Sequence, residues 1–233
     1  MSGVLYGVGV GPGDPGLITL RAHRLISSAA VIAYPAPAGG ASLVRSIAAP
    51  LIPAGAREIA IEVPMTVARA PAQAAYDRGA AMIAEALEQG SDVVCLCEGD
   101  PFFYGSFMYL HARLAGRFRV ETVPGVTSMA AAAARAARPL VARNERLAVL
   151  PGPLPDAELR ARIAEADSVA ILKLGRHLPR IRALIDALGL GAAAIYVERA
   201  GLPGERICPL AEAPARAPYF SMILLCKGGD PWL

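Results

Sequence analysis

An acidic segment that contains glycine directly follows an apolar run in this chain. The run is Asp92–Cys97 (DVVCLC), which has the length and residue types of a buried strand, and the segment is Glu98–Gly105 (EGDPFFYG). Open α/β sheets bind ligands in loops at the carboxyl ends of their strands, and Gly99 and Gly105 let the backbone approach closely. The pattern predicts a ligand-binding loop, whereas the alternative is an ordinary turn capped by Asp100.

A second glycine loop lies near the N-terminus. Val4–Val10 has the pattern of a short strand and runs into Gly11–Pro15 (GPGDP), before a helical segment that begins near Thr19. A dinucleotide fingerprint would need glycine where Pro12 stands, and the next predicted strand ends without the acidic residue that binds a ribose. Because proline also lacks the amide donor of a phosphate cradle, the loop favours a ligand without a pyrophosphate.

A third motif joins a strand end to an alanine-rich helix. It reads VPGVTS over Val123–Ser128, and the helix is predicted to continue through Met129–Ala137. Thr127 and Ser128 are good helix caps, and a cap alone is worth about 1 kcal/mol. Their hydroxyls could bind a ligand and cap the helix at the same time.

The elements that must position these loops alternate between strand-like and helix-like patterns, which predicts an α/β fold. The clearest helix is Ala72–Gln89, whose apolar face is predicted to contain Ala75, Met82, Ile83, Ala86 and Leu87. Strands are predicted near residues 3–9, 30–34, 57–61, 92–97 and 119–123, and a second set at Arg146–Leu150, Val169–Leu172, Ala193–Val197 and Tyr219–Leu225.

A junction between two compact halves is predicted at Ala115–Phe118, which gives domains of residues 1–117 and 118–233. The chain has 233 residues, enough to bury a core without a disulfide or metal staple. Leu25–Val44 is uncharged, but its prolines and its paired glycines argue against a membrane span. No signal peptide pattern opens the chain, and the composition is typical of a cytoplasmic enzyme.

The charge and the metal-binding residue types exclude several classes of site. Net charge is +3 without a basic run, which gives little support to nucleic-acid binding but suits a small polyanion. The four cysteines form no CxxC pair, so no metal site is predicted, and Cys95 and Cys97 should share a buried face as reduced thiols. The three histidines show no spacing of a catalytic triad.

Four separated segments in order resemble the S-adenosylmethionine-dependent tetrapyrrole methylases. They are LYGVGVGPGDPGLITLRAHRLISSAAVIAYP (Leu5–Pro35), EGDPFFYGSFMYLHARL (Glu98–Leu114), VETVPGVTSMAAAAA (Val120–Ala134) and YFSMILLCKG (Tyr219–Gly228), and together they extend over nearly the whole chain. Within the family the chain is most similar to the branch that methylates C20 of precorrin-2 in cobalamin biosynthesis. That finer similarity depends on AYP, FFYGSFMYLH and YFSMIL.

The resemblance implies a fold of two α/β domains with the cofactor in the cleft between them, and a homodimer. It implies S-adenosylmethionine as methyl donor, precorrin-2 as acceptor, and precorrin-3A and S-adenosylhomocysteine as products. The expected cofactor contacts are Pro12, Gly99, Asp100, Tyr104, Gly105, Thr127 and Ser128, followed by Leu174, Ala200 and Met222 at the ends of later strands. The last three could equally be ordinary core residues.

The acceptor carries several carboxylates, so cations at predicted loops are candidates to bind it. They are Arg45, Arg143, Lys173, Arg176 and His177, although each could also be an ordinary surface charge. Neither Glu98 nor Glu198 is assigned a catalytic role. The alternatives left open are cobalt-precorrin-2 as substrate, methylation of another position such as C11 or C17, and a silent ligand-binding module. Related folds also methylate RNA, which the weak charge does not favour.

Overall fold

The computed structural model describes residues 2–64 and 68–228. Its first part contains the strands β1 (Leu5–Gly9), β2 (Val31–Pro37), β3 (Arg57–Val63), β4 (Val93–Cys97) and β5 (Val120–Val123), with the helices α1 (Leu20–Ser27), α2 (Leu43–Ala48), α3 (Arg69–Glu88) and α4 (Phe107–Leu114). Its second part contains α5 (Ser128–Arg135), β6 (Leu147–Pro151), α6 (Asp156–Glu165), β7 (Ser168–Leu172), α7 (Leu178–Ala187), β8 (Ala194–Glu198), β9 (Arg206–Pro209) and β10 (Ser221–Cys226).

The chain divides into two compact units, Met1–Thr127 and Ser128–Leu233. This division by contacts lies about ten residues after the junction predicted at Ala115–Phe118. The physical reason is β5, which pairs in parallel with β1 from Leu5↔Val120 to Val8↔Val123 and so completes the first sheet. No composition change marks this point, because β5 belongs to the first unit only through its long-range pairing.

The first unit is a five-stranded parallel sheet in the order β3-β2-β4-β1-β5, with helices on both faces. On one face Cys95 and Cys97 pack with α3 and α4, and on the other Leu96 packs with α1 and α2. The connections that follow β1 and β4 thus leave toward opposite faces. Adjacent strands with this property mark the place where open α/β sheets bind ligands.

Helix α3 confirms the predicted helix and corrects one member of its apolar face. Ala75, Ile83, Ala86 and Leu87 are buried, but Met82 is 38% exposed. Gly79 and Ala80 are buried as well, and a Cβ on Gly79 would come within 2.9 Å of the Ile61 side chain. Gly79 thus lets the helix approach the sheet closely, and Ile83 and Leu87 pack on the same buried face, whereas Met82 lies at the margin of that face.

The second unit is a five-stranded mixed sheet in the order β6-β7-β10-β8-β9. Strand β6 is parallel to β7, whereas β10 is antiparallel to both of its neighbours, with Met222 opposite Leu172 and Val197. The start of β10 consequently lies at the same edge of the sheet as the ends of β7 and β8. This reversal brings together three chain segments that are far apart in sequence.

All nine predicted strands are present, and their ends agree with the predictions within three residues. Strand β9 was not predicted, because RICP is short and half exposed and pairs only at one side, with β8. The uncharged run Leu25–Val44 contains the end of α1, then β2 and a loop. Within residues 2–64 and 68–228, no helix combines the length and apolarity that crossing a membrane requires.

Candidate functional site

Four glycines bring the end of β1 and the loops after β1, β4 and β5 into direct backbone contact. The loops after β1 and β4 are joined at Gly11 and Gly99, whose amides and carbonyls exchange hydrogen bonds of 3.3 and 2.8 Å. A Cβ on Gly125 would lie 2.1 Å from the Gly99 carbonyl oxygen, and a Cβ on Gly9 would lie 2.5 Å from the same atom. Real side chains do not tolerate such distances, so these glycines serve loop-to-loop packing.

The Asp100 carboxylate joins the loops after β4 and β5 by hydrogen bonds. Its Oδ1 accepts hydrogen bonds from the amides of Phe102 at 2.9 Å and Phe103 at 3.1 Å, which caps the turn after β4. Its Oδ2 accepts from the Gly125 amide at 3.0 Å, in the loop after β5. Because both oxygens already accept backbone amides, Asp100 organises the site and leaves main-chain atoms to meet a ligand.

The segment Glu98–Gly105 ends in a tight turn at Gly105. A Cβ on Gly105 would lie 2.5 Å from the carbonyl oxygens of both Asp100 and Pro101, so only glycine fits. Tyr104 adopts a positive φ of 56° and is 46% exposed, with its ring edge-on to Phe103. A tyrosine in the left-handed region is uncommon, and strained residues of this kind cluster at functional sites.

The remaining predicted contacts of the first unit lie at the ends of the same loops. Pro12 follows Gly11 and is half-buried, and Thr127 is half-buried at the end of the loop after β5. Ser128 is the first residue of α5 and belongs to the second unit. The structure thus gathers Pro12, Gly99, Asp100, Tyr104, Gly105 and Thr127 at the carboxyl edge of the first sheet.

Glu98 has a role that sequence reasoning did not identify. Burial raises the pKa of its carboxyl group, although hydrogen bonds from its own amide and the Val44 amide oppose the shift. Val44 lies in the first turn of α2, so the carboxyl connects the end of β4 to the start of that helix. The separation of 54 residues between the partners, 98 minus 44, leaves no local sequence signal.

In the second unit, Leu174, Ala200 and Met222 lie at one edge of the mixed sheet, as the antiparallel course of β10 requires. All three are buried, and the Leu174 side chain packs in the core with Leu178 and Ile181. Any ligand contact of Leu174 therefore comes from its main chain. Lys173 and Arg199, at the ends of β7 and β8, both adopt positive φ values, 57° and 52°.

The five residues predicted to bind acceptor carboxylates do not all lie at one place in the structure. Lys173, Arg176 and His177 follow β7, whereas Arg143 precedes the N-terminal end of β6 and Arg45 lies on α2 in the other unit. Burial and the neighbouring Arg176 and Arg180 lower the pKa of His177. The ring is therefore neutral at pH 7, and the positive charge after β7 comes from Lys173 and Arg176.

Arg45 is engaged in a bidentate ion pair. Its Nε and Nη2 donate to the two carboxylate oxygens of Glu58 at 2.9 and 2.8 Å. Hydrogen bonds from Arg45, and to a smaller extent from Tyr34, lower the pKa of Glu58 from 4.5 to about 2. A substrate carboxylate would therefore have to bind the remaining Nη1 side of the guanidinium or displace Glu58.

We expect this ion pair to contribute to acid stability. Since the folded-state pKa of Glu58 is depressed, the stabilisation is present above about pH 4.5 and is lost as the pH falls toward 2. Urea unfolding between pH 6 and pH 3 should show a smaller loss of unfolding free energy for Arg45→Met than for the wild type. Glu58→Gln is the matched control, and equal pH profiles for all three proteins would contradict the assignment.

The cysteines match the predicted buried thiols. Cys95, Cys97 and Cys226 are buried, Cys208 is half-buried, and all four are free. Burial raises the pKa of the Cys97 thiol to about 11 and that of Cys95 further, which leaves both unreactive at neutral pH. Within the described ranges, three or more His, Cys, Asp or Glu side chains nowhere form a group that could hold a metal ion.

Comparisons with known proteins agree with this arrangement of strands and loops. Residues 4–214 match the family model of tetrapyrrole (corrin/porphyrin) methylases. The chain is 41% identical to a precorrin-2 C(20)-methyltransferase of Sinorhizobium sp. over 97% of both chains. It is 44% identical to the cobalamin biosynthesis protein CobIJ of Mycobacterium tuberculosis over 97% of this chain, but it spans only 46% of that protein.

A solved structure shows the same fold. It is the uroporphyrin-III C-methyltransferase of Thermus thermophilus complexed with S-adenosylhomocysteine, with a TM-score of 0.69, 28% identity, and coverage of 97% of this chain and 92% of the other. The family match covers both units, and it includes all three of the loops that pack at the edge of the first sheet. The chain therefore belongs to the tetrapyrrole methylase family.

Proposed function

We propose that this protein transfers a methyl group from S-adenosylmethionine to C20 of precorrin-2, in cobalamin biosynthesis. The products are precorrin-3A and S-adenosylhomocysteine. The observation that carries the proposal is the 41% identity to the Sinorhizobium precorrin-2 C(20)-methyltransferase along 97% of both chains. Identity at this level over full length supports a shared acceptor as well as a shared fold, which alone would not specify the function.

The chemistry of the loops suits a donor without phosphates. Pro12 has no amide to offer a phosphate, and the loops after β1, β4 and β5 present packed backbone with a strained tyrosine. We assign donor contacts in the first unit to Pro12, Gly99, Asp100, Tyr104, Gly105 and Thr127, and in the second to Ser128, Leu174, Ala200 and Met222. Asp100 and Leu174 contribute through their main chains.

The reaction is an in-line displacement at a methyl carbon, which the sulfonium of the bound donor supplies. The protein's task is to hold donor and acceptor aligned and to keep water out, and such positioning can contribute about 7–11 kcal/mol. The glycine packing and the Asp100 hydrogen bonds hold the loops without mobile side chains, which favours preorganisation. Lys173 and Arg176 are the preferred partners for the acceptor carboxylates.

The decisive experiment is an anaerobic incubation of the purified protein with a donor that carries a carbon-13 methyl group. Precorrin-2 and cobalt-precorrin-2 are supplied in parallel, and NMR locates the new methyl. We expect label at C20, and the preferred macrocycle identifies the substrate form. Label at another carbon, or donor binding without transfer to either macrocycle, would contradict the proposal and support another position or a silent binding module.

We propose further that the protein acts as a cytoplasmic homodimer, as the family resemblance implies. Sedimentation equilibrium of the purified chain measures its mass directly. A mass of about twice 24.2 kDa is expected, and a monomer at micromolar concentration would contradict the dimer. Cell fractionation tests the location.

A further inference from the structure

Two neighbouring aromatic side chains are exposed at the start of β10. Tyr219 is 58% exposed and Phe220 is 44% exposed, and their rings meet edge to face with centroids 5.0 Å apart. Large apolar side chains of this kind are normally covered, and adjacent exposed aromatics are a feature of ligand-binding surfaces.

The backbone beneath this aromatic pair is held in place. The Ser221 amide donates to the Tyr219 carbonyl at 3.0 Å, and the Ser221 hydroxyl donates to the Pro218 carbonyl at 2.6 Å. The Arg199 amide donates to the Phe220 carbonyl at 2.8 Å. Ser221 itself is only 4% exposed. The rings are therefore presented from a fixed strand start rather than from a loose loop.

The charges around the aromatic pair favour an anionic ligand. Because β10 runs antiparallel to its neighbours, the pair lies at the edge where Lys173, Arg176 and Arg199 are exposed. The carboxylates of this edge are held internally. Glu198 accepts a hydrogen bond from the buried Tyr196 hydroxyl at 2.5 Å, and Glu205 binds Arg135 and the Gly201 amide.

We propose that Tyr219 and Phe220 form the aromatic surface that contacts the tetrapyrrole ring of the acceptor, one ring face-on and the other edge-on, while the neighbouring cations bind its carboxylates. This inference rests on the proposed function and extends it to acceptor-binding residues. A tetrapyrrole is a broad conjugated ring with carboxylates at its rim, and this sheet edge offers an aromatic face and, at 87° to it, an aromatic edge, with positive charge beside them. Contact with the rings binds the acceptor and leaves donor binding unchanged.

The test separates acceptor binding from donor binding. Tyr219→Ala and Phe220→Ala should each raise the KM for precorrin-2, and its Kd measured anaerobically with S-adenosylhomocysteine present, about tenfold. The KM for S-adenosylmethionine should change less than twofold. Tyr219→Phe keeps the ring and should bind precorrin-2 more tightly than Tyr219→Ala, and Phe220→Leu keeps the apolar character without the aromatic ring and should weaken binding. Leu20→Ala, at an exposed position on α1, controls for removal of surface apolar area.

The outcomes distinguish failure of the proposed function from failure of the acceptor-binding surface alone. A wild type that neither binds nor methylates precorrin-2 overturns the proposed function, and the acceptor-binding surface with it. A wild type that methylates C20, beside alanine variants with unchanged KM and Kd, overturns the acceptor-binding surface alone. Alanine variants that become monomeric while binding precorrin-2 normally would show that a second copy of the chain covers the aromatic pair, which also overturns the inference.

Discussion

Replacement of Gly125 by alanine should lower the free energy of unfolding by about 3 kcal/mol and abolish donor binding. The added Cβ would lie 2.1 Å from the Gly99 carbonyl oxygen and 2.9 Å from the Gly9 Cα, and both are backbone atoms that no rotamer change can move. The loops after β1, β4 and β5 must separate to admit the methyl group, at the cost of a severe overpacking defect. Gly9→Ala should behave in the same way.

Urea unfolding and calorimetric titration with S-adenosylmethionine measure the two effects. Gly55→Ala and Gly116→Ala are matched controls in the same unit, because a Cβ at either position meets nothing within 4 Å. Both controls should stay within about 0.5 kcal/mol of the wild type and bind the donor normally. A Gly125→Ala protein with normal stability and normal donor affinity would show that the three loops are not packed together in solution.

Removal of the Asp100 carboxylate should weaken donor binding, reduce methyl transfer about 100-fold and cost about 2–4 kcal/mol of stability. Asp100→Ala leaves the amides of Phe102, Phe103 and Gly125 without their acceptor, and hydrogen bonds to a charged group contribute roughly 1.5–3 kcal/mol. Small displacements of positioning loops, about 1 Å, can reduce turnover about 100-fold. Asp100→Asn should have an intermediate effect, because its single carbonyl oxygen can serve only one side of the site.

Asp92 provides a control at the other end of the same strand. Its Oδ1 accepts the Val4 amide at 2.7 Å, just before β4 begins. Asp92→Asn should reduce the thermal stability slightly and leave donor affinity unchanged, since the Asp92 carboxylate lies at the edge opposite to the loops. If Asp92→Asn and Asp100→Asn weakened donor binding equally, the effect would be general destabilisation rather than loss of loop positioning.

These predictions assign the motif glycines a role that the sequence did not specify. The sequence pattern suggested that Gly99 gives a ligand access to the backbone, yet the Gly99 carbonyl oxygen is contacted by other loops. The two roles are connected, because close loop packing determines which backbone atoms remain at the sheet edge. The alternative interpretation of Asp100 as a turn cap is also correct as far as Oδ1 is concerned.

Local patterns in the sequence were sufficient for the α/β class, the nine predicted strands, the long helix and the three loops at the first sheet's edge. These features follow from side-chain periodicity and turn residues within short windows, which act on the chain before any distant contact forms. The motifs also identified the family, since four separated segments occur in the order expected. The same local patterns predict that the candidate site residues lie at strand ends.

The tertiary structure alone decided which distant groups meet. Because β5 pairs with β1, the first compact unit extends to Thr127. Because β10 is antiparallel to β7, Tyr219 and Phe220 lie beside the end of β7. The partners of Asp100 in the loop after β5, and of Arg45 at Glu58, likewise lie beyond any local window. A residue's type limits what it can bind, but strand order and direction determine which partner lies within hydrogen-bonding distance, and local patterns do not encode that distance.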